Sequence, residues 1–320
     1  MRVLVTGSSG FVGSAILARL LEMEKYQLRT VGRSKSKNPS GDLDHVVIQD
    51  FSTDTKLAIA VKDVDVIIHA AARVHVLQES STDPLADYRT VNVKGSMNLA
   101  QLGVEAGVRR LIFISSIKVN GESTEAGKPY TAEDIPAPID PYGVSKYEAE
   151  LGLMQIAEKS GLEVVIIRPV IVYGPGVKAN FLSMMNWLNK GIPLPFGSVD
   201  NKRSFVALDN LVDLVVTCID HPGASNQTFL VSDGEDLSTT ELLRRMARAL
   251  GKPSRLLPVP IGLLQTGARL LGKSDIAQRI LGSLQVDISK TKKVLGWMPP
   301  VGVDEAMRST VKDFNDRHLR

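Results

Sequence analysis

The chain has 320 residues, 43% of them hydrophobic, and a formal net charge of +3. This length permits a large core and predicts one large domain with a smaller one. The low net charge and the lack of any Lys/Arg run argue against a general nucleic-acid or anionic-membrane surface. The single cysteine, Cys218, cannot form an internal disulfide and fits a reducing cytoplasm.

Neither a signal peptide nor a membrane span is predicted. The opening residues MRVLVTGSSGFVG lack a long apolar core and a cleavage site. No stretch reaches roughly 18 uncharged apolar residues. The apolar segment Leu256–Leu271 is short and contains Pro258 and Pro260, which favours a buried or docking helix over a membrane-surface helix. We therefore expect a cytoplasmic protein.

Strand and helix patterns alternate through the first half of the chain. The predicted strands are Arg2–Thr6, Leu28–Gly32, Val46–Gln49, Val64–His69, Leu111–Ser115 and Val164–Arg168. Helical patterns lie near Phe11–Met23, Asp87–Ala106 and Tyr142–Ser160, and Gly161 is a plausible stop for the last. The alternation predicts an α/β fold over residues 1–168, a Rossmann-type doubly wound parallel sheet that binds a dinucleotide.

After Arg168 the pattern changes to turn-rich pieces between helices. Helices are predicted near Phe181–Lys190, Leu208–Ile219, Thr239–Leu250 and Val303–Phe314, with short strands at Ser204–Ala207 and Thr228–Val231. Residues 169–320 therefore read as a smaller C-terminal α/β region for substrate binding. Whether the chain crosses back to the large sheet is left open.

A glycine-rich turn follows the first strand. Gly7 permits a tight turn, Gly10 a close approach of pyrophosphate to the backbone, and Gly13 close helix packing. The N–H groups at the helix start then face the phosphate charge. The predicted cofactor contacts in this turn are Gly7, Ser9, Gly10, Phe11, Val12 and Gly13.

The end of the second strand bears on the choice of cofactor. An NAD site usually has an acidic residue there, but this chain has Gly32 followed by Arg33. Arg33 could pair with a 2′-phosphate, which favours NADP(H). It could instead be a solvated loop residue or stack on adenine, leaving NAD(H) open. Asp50, after the third strand, is placed to bond the adenine amino group or to hold a turn.

Tyr142 and Lys146 lie one helical turn apart on a single face. Lys146 can lower the pKa of the tyrosine, which then exchanges a proton with a carbinol or ketone while hydride moves. Ser116, or its neighbour Ser115, ends a strand beside this helix and can bond the same oxygen. Asn92 is assigned to the catalytic group to order a water or the lysine, unless it only bonds backbone.

These motifs together resemble the extended short-chain dehydrogenase/reductase family, in its NAD-dependent epimerase/dehydratase group. The resemblance rests on the order Gly7/Gly10/Gly13, His69 to Ala72, Asn92, Ser115/Ser116, Tyr142/Lys146 and Arg168/Pro169. It implies further cofactor contacts at Phe51, Ala70, Ala71, Ala72, Lys146 and Pro169. It also implies a homodimer through the helices Asp87–Ala106 and Tyr142–Ser160.

The second half resembles the nucleotide-sugar site of the same group. Asn180 follows a segment that leads to the substrate pyrophosphate, and Pro195 and Phe196 resemble a segment that lies along uracil. Arg203 inherits the role of neutralising the pyrophosphate, although a surface arginine near a strand is the alternative. The resemblance thus implies a UDP-sugar substrate.

A closer likeness is to a UDP-glucose 4-epimerase-like subgroup found with bacterial surface-polysaccharide synthesis. It suggests that Arg73, His75 and Lys118 line the sugar pocket, unless they are loop charges. No metal site is predicted. Some members are thought to reduce a UDP-4-keto-6-deoxy-N-acetylhexosamine, and with Arg33 this tilts the prediction towards a 4-reductase. A UDP-hexose 4-epimerase is the alternative, and a cofactor-sensing or scaffold protein is the non-enzymatic one.

Overall fold

The computed structural model describes residues 1–34, 43–74, 82–125 and 127–318. His75, a candidate pocket residue, lies outside these ranges. The strands are β1 Arg2–Thr6, β2 Gln27–Gly32, β3 Asp44–Val47, β4 Val66–His69, β5 Arg110–Ile114, β6 Glu163–Pro169, β7 Ile171–Tyr173, β8 Arg203–Ala207, β9 Gln227–Val231 and β10 Asp236–Leu237.

The α-helices of the described chain are α1 Phe11–Glu22, α2 Leu57–Val61, α3 Pro84–Tyr88, α4 Gly95–Glu105, α5 Pro141–Ser160, α6 Ala179–Asn189, α7 Leu208–Asp220, α8 Thr239–Ala249, α9 Ile261–Leu270, α10 Ser274–Leu281, α11 Ser289–Leu295 and α12 Val303–His318. A π-helix spans Arg89–Lys94, and short 3₁₀ turns span Ile117–Val119 and Pro222–Ala224. None of these helices combines the length and apolar character that a transmembrane segment requires.

Seven strands form a parallel sheet in the order β3-β2-β1-β4-β5-β6-β9. The order reverses at β1, because the chain first moves outward to β2 and β3 and then returns to the other side at β4. In such sheets a ligand binds beyond the carboxyl ends of the strands at this reversal. The predicted doubly wound parallel sheet is confirmed.

Both faces of the sheet are buried, which explains why its central strands are apolar throughout. Val3 and Val5 of β1 point into one core, which α1 and α7 cover. Leu4 points into the opposite core, where Leu99 of α4 and Leu153 of α5 pack. The alternation along β1 follows from the two-residue period of a strand.

The helix predicted over Asp87–Ala106 is interrupted. The chain passes from α3 into the π-helix Arg89–Lys94 and only then into α4. Asn92 lies inside the π-helix and is buried. Single π turns are often found at functional sites, since the wider turn redirects a side chain.

The second half forms a small sheet with the order β10-β8-β7, packed against α6, α8 and α12 around a third core. The chain also returns to the large sheet, where β9 pairs with β6. The predicted boundary at residue 168 stays a prediction.

A buried or docking helix was expected within Leu256–Leu271, and the structure contradicts only the burial. The helix α9 begins directly after Pro260 and contains no buried residue. Apolar composition alone does not fix burial, which depends on whether another element packs against the helix.

Candidate active site

The glycine turn after β1 has no room for side chains. Gly7 has a φ of +69°, and a Cβ there would lie 2.6 Å from the backbone N of Ala71. A Cβ on Gly13 would lie 2.2 Å from the carbonyl oxygen of Gly7. The turn therefore brings the start of α1 and the residues after β4 into direct backbone contact, which only glycines permit.

The start of α1 fits the pyrophosphate of a dinucleotide. Gly10 caps the helix without any side-chain hydrogen bond, and the first turn contains no acidic residue. The leading N–H groups, at Phe11 and Val12, therefore keep their partial positive charge for an anion. Ser9 lies exposed in the same turn.

The residues predicted after β4 and β6 lie at the same edge of the sheet. Ala70, Ala71 and Ala72 follow β4, and the Ala71 N–H donates to the Thr6 hydroxyl at the end of β1. Pro169 ends β6 and is buried. Because neighbouring parallel strands end together, these residues border the crevice into which the glycine turn opens.

Arg33 and Asp50, the residues predicted to contact the ribose phosphate and the adenine, follow the outer strands β2 and β3. Arg33 is exposed directly after β2. The Asp50 carboxylate accepts hydrogen bonds from the N–H and hydroxyl groups of both Ser52 and Thr53. These bonds lower the pKa of Asp50 to about 2. The geometry supports the turn-holding role that was its alternative, and an adenine contact stays a prediction.

Phe51 packs beneath the crevice. Its ring lies 5.7 Å from that of His69, and its carbonyl oxygen accepts a hydrogen bond from Asn98. A Cβ on Gly95 would lie 2.9 Å from the Phe51 Cβ, so α4 approaches this residue closely. The contacts shown are thus with protein, and the predicted cofactor contact stays a prediction.

Tyr142, Lys146 and Ser116 form one constellation beyond β5. Asp140 caps α5 by accepting a hydrogen bond of 2.6 Å from the Gly143 N–H, which fixes the first turn that carries Tyr142. The Tyr142 hydroxyl lies beside the Ser116 side chain. Lys146 follows one turn later and is buried, with its Nζ 3.8 Å from the centre of the Phe113 ring.

Burial sets the protonation of this pair. It raises the pKa of the Tyr142 phenol above its usual range, an effect that the nearby Ser116 side chain opposes. It lowers the pKa of Lys146 to about 7, although Glu150 one turn further pulls the value up. Lys146 therefore loses its charge near neutral pH, whereas the Tyr142 phenol keeps its proton there.

The two neighbouring serines have separate roles. The Ser115 hydroxyl is hydrogen-bonded to the buried Glu150 carboxylate, which also forms an ion pair of 2.6 Å with Arg168. Arg168 in turn donates to Asn120 at 3.0 Å. Ser115 therefore belongs to a structural network behind the site, and Ser116 is the residue beside the Tyr142 hydroxyl.

Sequence reasoning missed this network. Glu150 lies one turn after Lys146 and faces the sheet, so an acidic residue on the buried face of a helix was the available signal. Its partner Arg168 appeared only as part of a family motif. The network joins α5 to the ends of β5 and β6 and so holds Ser116 against Tyr142.

Asn92 bonds protein groups only. Its side-chain amide donates to the Arg73 carbonyl oxygen at 3.1 Å and to the Ser145 hydroxyl at 3.0 Å. Its Oδ1 accepts from the Arg73 N–H at 2.8 Å. Both amide protons bond protein groups, which supports the alternative that Asn92 ties the chain after β4 to α5; its catalytic role stays a prediction.

Lys118 and Arg73, which were predicted to line the sugar pocket, form ion pairs with neighbouring carboxylates. Lys118 forms ion pairs with Asp140 and Glu122, so it braces the cap of α5. Arg73 lies 3.4 Å from the Asp87 carboxylate and over the Tyr88 ring. The loop-charge alternative describes Lys118 better than a contact with sugar does, because both neighbouring carboxylates already satisfy its charge.

Arg203 is a buried cation without a carboxylate partner among the described residues. Its Nη1 donates to the Gly282 carbonyl oxygen at 2.9 Å, and burial lowers its pKa. A buried charge is costly unless an opposite charge compensates it. The side chain is therefore suited to an anionic ligand such as a pyrophosphate.

The segment Ser283–Asp287 links Arg203 to the catalytic loop. On one side Ser204 N–H donates to Leu284 at 2.9 Å, and on the other Thr124 N–H donates to Ser283 at 2.9 Å. The strand that carries Arg203 and the loop after Ser116 thus lie on either side of one short segment.

The remaining substrate candidates lie in the second half. Asn180 is exposed in the first turn of α6. Pro195 and Phe196 are half-buried, and their segment pairs with the chain before α9 through a bond of 2.8 Å from Leu257 N–H to Leu194. A cavity of about 870 Å³ beside α1 is lined by Ser9, Gly10, Phe11 and Lys178 but by neither Tyr142 nor Arg203. It borders the glycine turn.

The chain is similar to a known protein family, to a relative in sequence and to solved structures in fold. Residues 3–232 match the NAD dependent epimerase/dehydratase family. A UDP-glucose 4-epimerase of Vibrio cholerae is 51% identical over 98% of this chain and 95% of its own. The fold resembles that of the Thermotoga maritima UDP-glucose 4-epimerase with UDP-glucose, with a TM-score of 0.80, 24% identity and full coverage of both chains. It also resembles the UDP-glucuronic acid 4-epimerase of Bacillus cereus in complex with NAD, with a TM-score of 0.80, 20% identity and coverage of 99% and 100%.

Proposed function

Because this chain belongs to the NAD-dependent epimerase/dehydratase family, and is an enzyme of the short-chain dehydrogenase type, we propose that it interconverts the C4 epimers of a UDP-hexose. The observation that carries the proposal is the placement of the Tyr142 hydroxyl beside Ser116 and the buried Lys146. This group lies at the sheet edge where the glycine turn opens, so one crevice holds the proton-transfer residue next to the cofactor cradle.

A bound NAD would supply the hydride chemistry at C4 of the sugar. Tyr142 takes the proton of the C4 hydroxyl, and Ser116 holds the same oxygen by a hydrogen bond. Lys146, in its charged form, stabilises the phenolate. The proton then returns from Tyr142 to the C4 oxygen of the 4-keto sugar, after its opposite face has turned towards the cofactor.

Such a turn requires that the nucleotide stay bound while the sugar moves. Arg203 supports this requirement, since its buried charge gains an opposite charge only when the pyrophosphate binds. Pro195 and Phe196 offer an apolar segment for uracil. The anchoring contacts are thus separate from Tyr142 and Ser116, which touch only the reacting oxygen.

The identity of 51% to a UDP-glucose 4-epimerase favours the epimerase over the 4-reductase towards which the sequence tilted. The reductase is retained as the second candidate on one observation: Arg33 is exposed after Gly32, where an acidic residue would repel a 2′-phosphate. The family and its NAD-bound fold neighbours do not support a preference for NADP(H). We accordingly propose NAD as the cofactor.

A screen of sugars separates the two candidates. The purified protein would be incubated with UDP-glucose, UDP-N-acetylglucosamine and a UDP-4-keto-6-deoxy-N-acetylhexosamine, with no added cofactor, with NADH or with NADPH. An epimerase should produce the C4 epimer without stoichiometric reduced cofactor. Consumption of one NADPH for each 4-keto sugar, with no epimer from the first two, would replace the epimerase by the reductase. No turnover of any sugar would favour the non-enzymatic alternative.

We further propose a homodimer through the helices α4 and α5. Val91, in the π-helix next to α4, and Leu151, on α5, are 40% and 46% exposed, which supports an apolar contact there. Sedimentation of the wild type should give twice the monomer mass, and Leu151→Asp should shift it towards the monomer. A wild-type monomer at all concentrations would contradict this assembly.

A further inference from the structure

The chain around α9 and α10 exposes apolar side chains to solvent. We call residues 252–283 the apolar hairpin; none of its described side chains is buried. Its most exposed large apolar residues are Leu257, Leu263, Leu270, Leu271 and Ile276, at 52 to 83%. The two helices chiefly contact each other. Clusters of exposed apolar side chains are typical of surfaces that bind a protein, a membrane or a ligand.

The apolar hairpin is also basic. It contains Lys252, Arg255, Arg269, Lys273 and Arg279 and only one acidic residue, Asp275. It therefore carries about four positive charges, more than the net +3 of the whole chain. All five cations are exposed, and none forms an ion pair with a side chain in the described ranges.

Both ends of the hairpin are fixed to the rest of the protein. At one end Leu257 N–H donates to Leu194 at 2.8 Å. At the other the Gly282 carbonyl oxygen accepts hydrogen bonds from Asn201 and Arg203. The hairpin is thus a fixed projection rooted beside two candidate substrate-binding segments, while its apolar tip has no partner within the described chain.

We propose that the apolar hairpin docks this protein on the surface of an anionic lipid bilayer. Exposed leucines combined with unpaired basic side chains are the composition that binds in the headgroup region of such a bilayer. With 10 residues, α9 is about 15 Å long, half of a hydrocarbon core of about 30 Å, so it lies on the surface and does not span.

A second copy of the chain fits the apolar hairpin less well than a lipid bilayer does. A two-fold contact through this hairpin would place its five cations against the same five cations of the partner copy. Acidic lipid headgroups instead compensate that charge while the leucines enter the apolar boundary. The near-neutral remainder of the chain explains why total charge did not reveal this surface.

Vesicle flotation tests the proposal on the full-length protein. Wild type would be mixed with phosphatidylcholine vesicles and with vesicles that contain about 30% phosphatidylglycerol, at roughly 0.15 M salt. The variants are Leu263→Ser with Leu270→Ser, and Arg269→Ala with Lys273→Ala. The matched control is Ile135→Ser with Ile139→Ser, which removes two apolar side chains that are 88% and 76% exposed outside the hairpin.

We expect wild type and control to bind the anionic vesicles at least tenfold more tightly than the neutral ones. Each hairpin variant should lose on the order of tenfold or more, with UDP-hexose turnover without vesicles unchanged. Equal binding of hairpin variants and control, or no anionic preference in the wild type, would overturn the proposal. So would a wild-type oligomer that the leucine variant dissociates in sedimentation, since the hairpin would then bind a second copy.

Discussion

Replacing Arg203 by methionine should weaken substrate binding without weakening the fold. The side chain is buried, and its guanidinium donates to the Gly282 carbonyl oxygen while lacking a carboxylate partner within the described residues. If the pyrophosphate of the substrate is its counter-charge, the variant loses that interaction. It also removes a buried cation whose pKa burial has lowered.

The magnitudes follow from these contacts. A charge-assisted hydrogen bond contributes about 1.5–3 kcal/mol, so affinity for UDP should fall roughly ten- to a hundredfold. The free energy of unfolding should fall by no more than about 1 kcal/mol, and it could increase. The lost bond to Gly282 is offset because the variant no longer has a buried charge without a partner.

Arg110→Met is the matched control. Arg110 is also buried, but it pairs with Glu163 and donates to the carbonyl oxygens of Cys218, Ile219 and His221 at the amino end of β5. Its loss should cost on the order of 3 kcal/mol in unfolding free energy and leave UDP affinity unchanged. Calorimetric titration with UDP and urea unfolding measure both quantities. If Arg203→Met kept UDP affinity, or destabilised the fold as much as the control, the anion-binding role would be refuted.

Three further outcomes are expected. Tyr142→Phe should retain the fold and cofactor binding but lower kcat about a hundredfold or more, and near-normal turnover would refute its role. The kcat should fall as pH rises through about 7, where the buried Lys146 loses the charge that stabilises the phenolate; the pH profile of Lys146→Met should lack this fall, and a retained fall would point to another group. UDP-N-acetylglucosamine or dTDP-glucose should give no 4-keto-6-deoxy product by mass spectrometry, because a 4,6-dehydratase needs an additional acid–base pair for C5 and C6 and Ile117, directly after Ser116, cannot transfer protons; detecting that product would contradict the prediction.

The parts of the site that follow from local spacing were predictable from sequence. Tyr142 and Lys146 are one helical turn apart, and any helix places them on one face. The glycine turn was equally predictable from the sequence, since Gly7 and Gly13 lie so close to neighbouring backbone atoms that no Cβ fits there. Both depend on residues close in the chain, for which periodicity suffices.

The interactions that were not predicted join distant parts of the chain. Glu150 and Arg168 form one buried pair only because α5 packs beside β6. Lys118 was assigned to the sugar pocket from the family resemblance, and the sequence did not reveal its ion pair with Asp140, which lies 22 residues away. The preference for the reductase rested on the subgroup resemblance and on Arg33, and one exposed cation at a strand end cannot set the direction of a reaction.

Isotope retention at C4 tests the proposed epimerisation most directly. The purified protein would be given UDP-galactose deuterated at C4, with no added cofactor, and the products followed by proton NMR. We expect UDP-glucose that retains the deuterium at C4, because the hydride leaves and returns within one active site. Formation of UDP-glucose with protium at C4, or no UDP-glucose while a 4-keto sugar is reduced by added NADPH, would contradict the proposal.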